Sequence, residues 1–258
     1  MPRASDRVNE PEPHTEQIGE VTIGRRYQGP PESGNGGYVC GRLAEYIDGP
    51  ATVRLLSPPP LETPLSVVRS GERLELKSGD GVVAWAHPAE PEFSPIKAPK
   101  IESARHGRKV YAGHTRHVFP GCFVCGVDRR EGDGLLVHAG PVQPSDTTEV
   151  QYLVACDWTP HPNLCGEAGV VAERYVWAAL DCPSGWAFLT FTEDIALLGE
   201  LTVEILSEVQ CGAEYILAGW QVDHQGRKHL TGSALFDANG NTLAQAQATW
   251  IVIDPPKQ

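Results

Sequence analysis

The 258-residue sequence lacks any apolar run close to the roughly 18 residues that a membrane-spanning helix needs. It also has no hydrophobic segment near its start, where a secretory signal would lie. Positive charge is scarce, because 21 Lys and Arg residues face 33 Asp and Glu residues, for a formal net charge of -12. Nucleic acids and anionic membrane surfaces favour basic partners. The sequence therefore predicts a cytoplasmic protein that binds neither nucleic acid nor membrane.

The cysteines do not follow the pattern of a disulfide framework. They number seven, an odd count, and are unevenly spaced in a chain of this length. Disulfide-stapled proteins are usually small and carry an even number of cysteines. We therefore expect reduced thiols. Four of them have no identifiable His partner in the sequence and are expected to be buried thiols rather than nucleophiles: Cys156, Cys165, Cys182 and Cys211.

The first part of the sequence changes from polar to turn-rich before its first periodic segment. Residues 1–17 are polar, contain proline and show no periodicity, so we expect a flexible arm. A short strand is predicted over 19–27, followed by a loop rich in glycine and proline over 28–37. This loop runs into a helix over 38–47, whose apolar residues recur at helical spacing.

Two glycines, Gly36 and Gly37, stand immediately before this helix. They can leave backbone N–H groups open to an approaching acceptor, as the start of a helix does for anions. They can equally serve packing, because a residue without Cβ lets the helix approach a sheet closely. On the sequence alone, packing is the simpler interpretation.

A meander of short strands follows the first helix. The breaker Asp48-Gly49-Pro50 ends the helix, and the next segments are bounded by turn formers. A proline-rich stretch then opens the segment 91–112, which is predicted to be a linker. The predicted strands of this half cover residues 51–56, 65–69, 72–77 and 82–87.

The second half repeats the order of the first: a strand, a glycine-bearing loop, a helix and a meander. Its last two strands flank Asn239-Gly240, a strong hairpin signal. Its predicted strands cover residues 148–154, 199–209, 213–223, 229–237 and 242–253. This internal repeat predicts an α+β fold, a tandem double hotdog in which each half is a curled antiparallel sheet wrapped around a central helix. The predicted hotdog units are 18–90 and 113–258.

The helix of the second half, predicted over 169–185, is apolar on most sides and should be buried. Pro183 and the following Gly185 are expected to end it. Asp181 would then lie in its last turn, where the helix dipole disfavours the ionised form. This acid is either functional or a simple turn cap with Ser184 or a nearby backbone N–H.

Three short segments carry a resemblance to a known family. They are NGGYVCGRL at 35–43, WAALD at 177–181 and AQATW at 246–250. Together they resemble the double-hotdog acyl-CoA thioesterases, in particular the bacterial acyl-CoA thioesterase II family and its actinobacterial relatives. Tyr38 stands where that family usually has glutamine.

The resemblance implies hydrolysis of acyl-CoA or a related thioester at the seam between the two halves. It implies no metal and no cofactor, and it is compatible with a homodimer or a higher homo-oligomer. Asp181 would activate a water molecule that Gln247 and Thr192 hold, with Thr190 in reserve. The residues expected to bind substrate are Gly36, Gly37 and Tyr38, the first two through backbone N–H groups directed at the oxyanion.

The alternation of the last strand sets a condition on this site. Gln247 shares one face with Gln245 and Thr249, and the alanines between them form the other face. Gln247 can act only if its face is turned toward the helix. The alanine face would also suit close packing against that helix, so the alternation alone does not decide the orientation.

Three other functions remain open on the sequence. A hotdog hydratase or dehydratase would use Asp157 and His161. A non-catalytic module could bind acyl thioesters without hydrolysing them. Separately, the basic segment 105–117 is the best local candidate for contact with a phosphate-bearing ligand.

The last alternative is a metal-bearing module. His114, His117, Cys122 and Cys125 are residue types that zinc prefers, and they lie close together in the sequence. A single CxxC pair is common, however, and cysteines packed as small hydrophobic residues explain it equally well.

Overall fold

The computed structural model describes residues 15–93, 96–143, 150 and 152–254. These residues form one antiparallel sheet of eleven strands, and helices pack against it. The strands are β1 (Thr15–Thr22), β2 (Ala51–Leu55), β3 (Pro64–Ser70), β4 (Arg73–Ser78), β5 (Gly81–Pro88), β6 (Gly140–Pro141), β7 (Val154–Trp158), β8 (Ile195–Ile205), β9 (Tyr215–Gln225), β10 (Lys228–Phe236) and β11 (Thr242–Ile253). The helices are α1 (Gly36–Ala44), α2 (Ile101–Lys109), α3 (Gly113–Arg116) and α4 (Glu173–Leu189).

The two halves of the chain contribute adjacent blocks of the sheet, whose order is β1-β3-β4-β5-β2-β8-β11-β10-β9-β7-β6. The order β1-β3-β4-β5-β2 in the first half has its counterpart in β7-β9-β10-β11-β8 in the second. The blocks meet where β2 pairs with β8, and there the hydroxyls of Thr52 and Thr202 lie 2.6 Å apart. The repeat of strand, helix and meander predicted from the sequence is thus present in the strand order.

Helices α1 and α4 pack against each other through glycines of α1. A Cβ atom on Gly37 would lie 2.4 Å from the Cβ of Asp181, and one on Gly41 would lie 2.7 Å from the Cα of Arg174. Atoms cannot approach so closely, so these positions accept only glycine unless the helices move apart. The glycines therefore serve packing. The sequence suggested packing against a sheet, whereas Gly37 and Gly41 pack against the second helix, α4.

Helix α4 is longer than predicted, and Pro183 lies inside it. The prediction that the helix ends at this proline was wrong. Buried hydroxyls donate to carbonyls of this turn: Ser184 Oγ to the Asp181 carbonyl and Ser233 Oγ to the Leu180 carbonyl, each at 2.6 Å. Asp181 consequently lies in the middle of the helix, away from the dipole of its last turn, and Ser184 contacts its backbone rather than its carboxylate.

The segment predicted as a linker, 91–112, contains α2. This helix packs on β7, because Gly107 leaves room for the backbone of Ala155. The predicted arm falls mostly outside the described residues, except that 15–17 begin β1. The strand predicted over 148–154 lies partly outside them, and β7 begins at Val154.

Cys165 and Cys211 form a disulfide, which corrects the expectation that all seven cysteines are free thiols. The bond ties the loop before α4 to the loop between β8 and β9. The same loops are joined by the backbone, since Cys211 N–H donates to the Gly169 carbonyl at 2.9 Å. The remaining five cysteines are free and buried.

No helix within the described residues is both long enough and apolar enough to cross a membrane.

Candidate functional site

A cavity of about 440 Å³ lies where segments from both halves of the chain converge. Its walls come from the loop before α1, the end of β2, residues 116–125, α4, β8 and β11, and they are mainly apolar. Polar groups are few, and Asp181 is among them. An apolar cavity with a few convergent polar groups is the usual form of a small-molecule site.

Asp181 is 2 % exposed, and its two carboxylate oxygens have different surroundings. Oδ2 accepts hydrogen bonds from the Gly37 N–H and from Asn35 Nδ2, both at 2.9 Å. Oδ1 has no hydrogen-bond partner among the described residues. Burial raises the pKa of Asp181 to about 7, and the two donors to Oδ2 only partly offset this.

Asn35 connects the start of α1 to this carboxylate. Its Oδ1 accepts from the Tyr38 N–H at 2.9 Å, which is the usual contact of an N-cap residue, and its Nδ2 donates to Asp181. The next residue, Gly36, also lines the cavity, and its N–H has no acceptor within the described part of the chain. The Asn35 side chain thus caps α1 and positions the Asp181 carboxylate. The Gly36 N–H is left as a free backbone donor.

The structure does not bring Gln247 to Asp181. The buried face of β11 carries Ala246, Ala248 and Trp250, and Trp250 Nε1 donates to Ser184 Oγ of α4 at 2.8 Å. Gln247 is on the opposite face, where its Oε1 accepts from the Glu92 N–H at 3.0 Å. The alanine face of β11 therefore packs against α4, because small side chains allow the helix to approach the strand closely.

The two threonines are not beside Asp181 either. Thr190 is the C-cap residue of α4, and Thr192 follows it, so both lie beyond the end of the helix that carries Asp181. Thr192 Oγ1 accepts from the Asp194 N–H at 3.4 Å. The predicted triad of acid, amide and hydroxyl therefore reduces to its acid.

The glycines and Tyr38, expected to bind substrate, also differ in their positions. Gly36 lines the cavity, whereas the Gly37 N–H is already bonded to Asp181. Tyr38 is buried and does not line the cavity, and its ring stacks on Tyr27 with centroids 3.9 Å apart. The aromatic packing around it, which includes Phe123, explains why this position tolerates a ring.

No protein-family model matches the chain, and no curated protein matches it. Solved structures do match it over nearly its whole length. The tesB protein of Mycobacterium avium subs paratuberculosis is similar with a TM-score of 0.59 and 11% identity, over 93% of this chain and 96% of that chain. A protein from Alicyclobacillus acidocaldarius with a hot dog fold is similar with a TM-score of 0.58 and 14% identity, over 94% and 96%. The chain has the hot dog fold.

The chain is also similar to the structure of an acyl-CoA thioesterase II, TesB2 from Mycobacterium marinum. The TM-score is 0.57 and the identity 12%, over 94% of this chain and 97% of that chain. The resemblance drawn from the three sequence segments is thereby confirmed at the level of the fold.

The residues of the hydratase alternative lie outside the cavity of this hot dog fold. Asp157 forms an ion pair with Arg108 at 2.8 Å, and His161 Nδ1 accepts from the Asn163 N–H. Arginines of the basic segment 105–117 are likewise engaged in contacts with other residues of the chain. Arg105 binds Glu214 at 2.7 Å, and Arg116 donates to carbonyls that follow the end of α4.

Sequence reasoning missed several residues that line the cavity beside Asp181. Asn35 could have been recognised, because asparagine before a helix start is a typical N-cap. Cys182 and Trp186 could not, because the helix was expected to end near Pro183. Cys122 also lines the cavity, and its Sγ lies 3.9 Å from that of Cys182.

Proposed function

We propose that this protein hydrolyses acyl-CoA or a related thioester to a carboxylic acid and a free thiol. The observation that carries the proposal is the carboxylate of Asp181. It is buried against an apolar cavity and held through Oδ2, and Oδ1 is left without a partner among the described residues. The likeness to structures of thioesterases supports the fold in which such a site would operate.

The reaction requires a base for water and a donor for the developing oxyanion. In the proposed mechanism, Oδ1 of Asp181 accepts a proton from water as the water oxygen adds to the thioester carbonyl. The free N–H of Gly36 stabilises the oxyanion. The C–S bond then breaks as the leaving sulfur takes from Asp181 the proton that water gave it, which restores the carboxylate. A carboxylate whose pKa is raised by burial is a stronger base than an exposed one, which suits this role.

We interpret the repeated strand order as a tandem double hotdog, with units 18–90 and 113–258 joined by 91–112. The cavity would then lie at their seam, with α1 supplying backbone donors and α4 supplying the acid. The apolar walls fit an acyl chain. A cytoplasmic location and a homo-oligomer remain predictions.

The test is a panel of acyl-CoA thioesters of increasing chain length, assayed by chromatography of the free acid. We expect turnover by the wild-type chain, and in Asp181→Asn a loss of about 100-fold or more, the scale of a missing general base. Asp157→Asn and Gln247→Ala serve as matched controls, because neither residue lies at the cavity, and both should retain activity. Unchanged turnover in Asp181→Asn would refute the mechanism.

One observation favours a second function, binding without turnover. The amide and hydroxyl that would complete the predicted triad contact other residues: Gln247 accepts from the Glu92 N–H, and Thr192 accepts from the Asp194 N–H. If acyl-CoA binds to the wild-type chain but no thioester in the panel is hydrolysed, the protein is an acyl-thioester binder.

A further inference from the structure

Three buried thiols meet at the wall of the cavity. Cys122 and Cys125 come from one turn, and Cys182 comes from α4, directly after Asp181. Their sulfur atoms all lie within 4.8 Å of one another, and those of Cys122 and Cys182 are 3.9 Å apart. Sulfurs that share a tetrahedral zinc ion at about 2.3 Å are roughly 3.8 Å apart. The spacing therefore approaches that of ligands around one ion.

The turn that carries two of the thiols is built for this geometry. The Gly126 N–H donates to the Cys122 carbonyl at 2.9 Å, and a Cβ on Gly126 would lie 2.4 Å from the carbonyl oxygens of Cys122 and Pro120. This turn keeps Cys122 and Cys125 close together, so that both sulfurs can approach one ion.

His117 supports the cluster from outside rather than as a ligand. Its Nδ1 accepts from the Phe119 N–H at 3.1 Å, so the ring proton of the neutral form is assigned to Nε2. Nε2 lies 3.1 Å from the Cys125 carbonyl oxygen and 3.3 Å from the Cys125 sulfur, so its proton can be shared between these two acceptors. A donor to a ligand atom is a typical outer partner of a metal site.

His114, which the sequence alternative counted as a ligand, is turned elsewhere. Its Nε2 lies 3.1 Å from the Arg108 carbonyl. The structure thus replaces the sequence-based set of two histidines and two cysteines by three cysteines, one of them contributed by a distant helix.

The chemistry of the three side chains indicates which metal would fit. Thiolate ligands in tetrahedral arrangement favour zinc, whose double positive charge would offset most of the charge of three thiolates.

We propose that Cys122, Cys125 and Cys182 bind one zinc ion whose fourth position opens into the cavity. All three residues line that cavity, so the fourth ligand would be water or an atom of the bound substrate. Three protein ligands and one open position are typical of catalytic rather than structural zinc. The proposal goes beyond thioester hydrolysis and replaces the expectation that the protein binds no metal.

The experiment measures metal in the full chain, purified without an affinity tag under reducing conditions, by inductively coupled plasma mass spectrometry. We expect about one zinc per chain in the wild type, and at least a tenfold lower content in Cys122→Ser and Cys182→Ser. Cys40→Ser and Cys156→Ser are matched controls, because these thiols are buried outside the cluster, and they should keep the wild-type content. Equal zinc in cluster and control variants would overturn the proposal.

The wild-type chain provides a readout that does not depend on how well a variant folds. After removal of metal by a chelator, titration with Co²⁺ should give thiolate-to-cobalt charge-transfer absorption that saturates at one equivalent. His117→Gln should weaken this binding about 10- to 100-fold, and His114→Gln should leave it unchanged. No charge-transfer absorption, or a disulfide among the three cysteines under the same reducing conditions, would count against the site.

This test is separate from that of the proposed function. Asp181→Asn should keep its zinc even though it loses hydrolysis. A chain that binds zinc but hydrolyses no thioester would leave the metal site standing and remove the hydrolase.

Discussion

The contact between α1 and α4 allows one substitution in which two physical effects oppose each other, Gly41→Ala. In an unconstrained helix, alanine would stabilise the chain by about 1 kcal/mol over glycine. Here the added Cβ would lie 2.7 Å from the Cα of Arg174 and 2.8 Å from the Cβ of Trp177. Neither atom can rotate away, because both belong to the framework of a packed helix.

The helices must therefore separate to restore ordinary contact distances. Overpacking of this kind costs about 1–3 kcal/mol, and the upper end applies because one clashing atom is backbone. After subtraction of the gain in helix propensity, we expect Gly41→Ala to be destabilised by about 2 kcal/mol.

The assay is equilibrium unfolding in urea, with the free energy of unfolding taken by linear extrapolation. Gly166→Ala is the control, because a Cβ there meets no atom within 4 Å, and its free energy of unfolding should change by less than about 0.5 kcal/mol. If Gly41→Ala were as stable as the wild type, helix propensity would have prevailed and the close packing of α1 on α4 would be refuted.

Two further predictions concern single side chains. Asn35→Ala removes the N-cap of α1 and should cost about 1 kcal/mol in the free energy of unfolding. Asn35→Ser keeps a capping oxygen but loses the amide donor to Asp181, so hydrolysis should fall with less change in urea stability. Equal loss of activity and stability in both variants would argue against a positioning role. Burial lowers the pKa of His138 to about 4, so the unfolded chain takes up a proton first as the pH falls, and stability should decrease between about pH 6.5 and 4. The loss in the free energy of unfolding is at most about 3 kcal/mol, and it is smaller after solvent screening of a half-buried ring. This loss should be absent from His138→Phe when urea unfolding is measured at both pH values. Parallel pH slopes in the two proteins would contradict this.

The parts of the fold set by local patterns could be predicted from the sequence. The meander strands alternate and end at turn formers, and the start of α1 carries a capping asparagine and glycines, so their positions agree within a few residues. The end of α4 could not be predicted in this way. The local rule for Pro183 was overridden by burial against the sheet and by the hydroxyls of Ser184 and Ser233.

The site was less predictable because its geometry depends on contacts between distant segments. The sequence singled out Asp181, which lies at the cavity, and its catalytic role stays a prediction. The alternation of β11 fits either orientation of Gln247, and only packing on α4 decides it. Cys182 joins Cys122 across 60 positions of sequence, and the disulfide partners Cys165 and Cys211 are 46 apart. Spacing along the chain gives no sign of either pairing.

The pairing of β2 with β8 has a consequence for stoichiometry. Two identical subunits joined along such strands would have to place the same side chains at both ends of their shared sheet. In a single polypeptide the two blocks need not be identical, so that α4 carries Asp181 while α1 contains no acidic residue. Each polypeptide should accordingly bind one substrate molecule, where a symmetric pair would bind two.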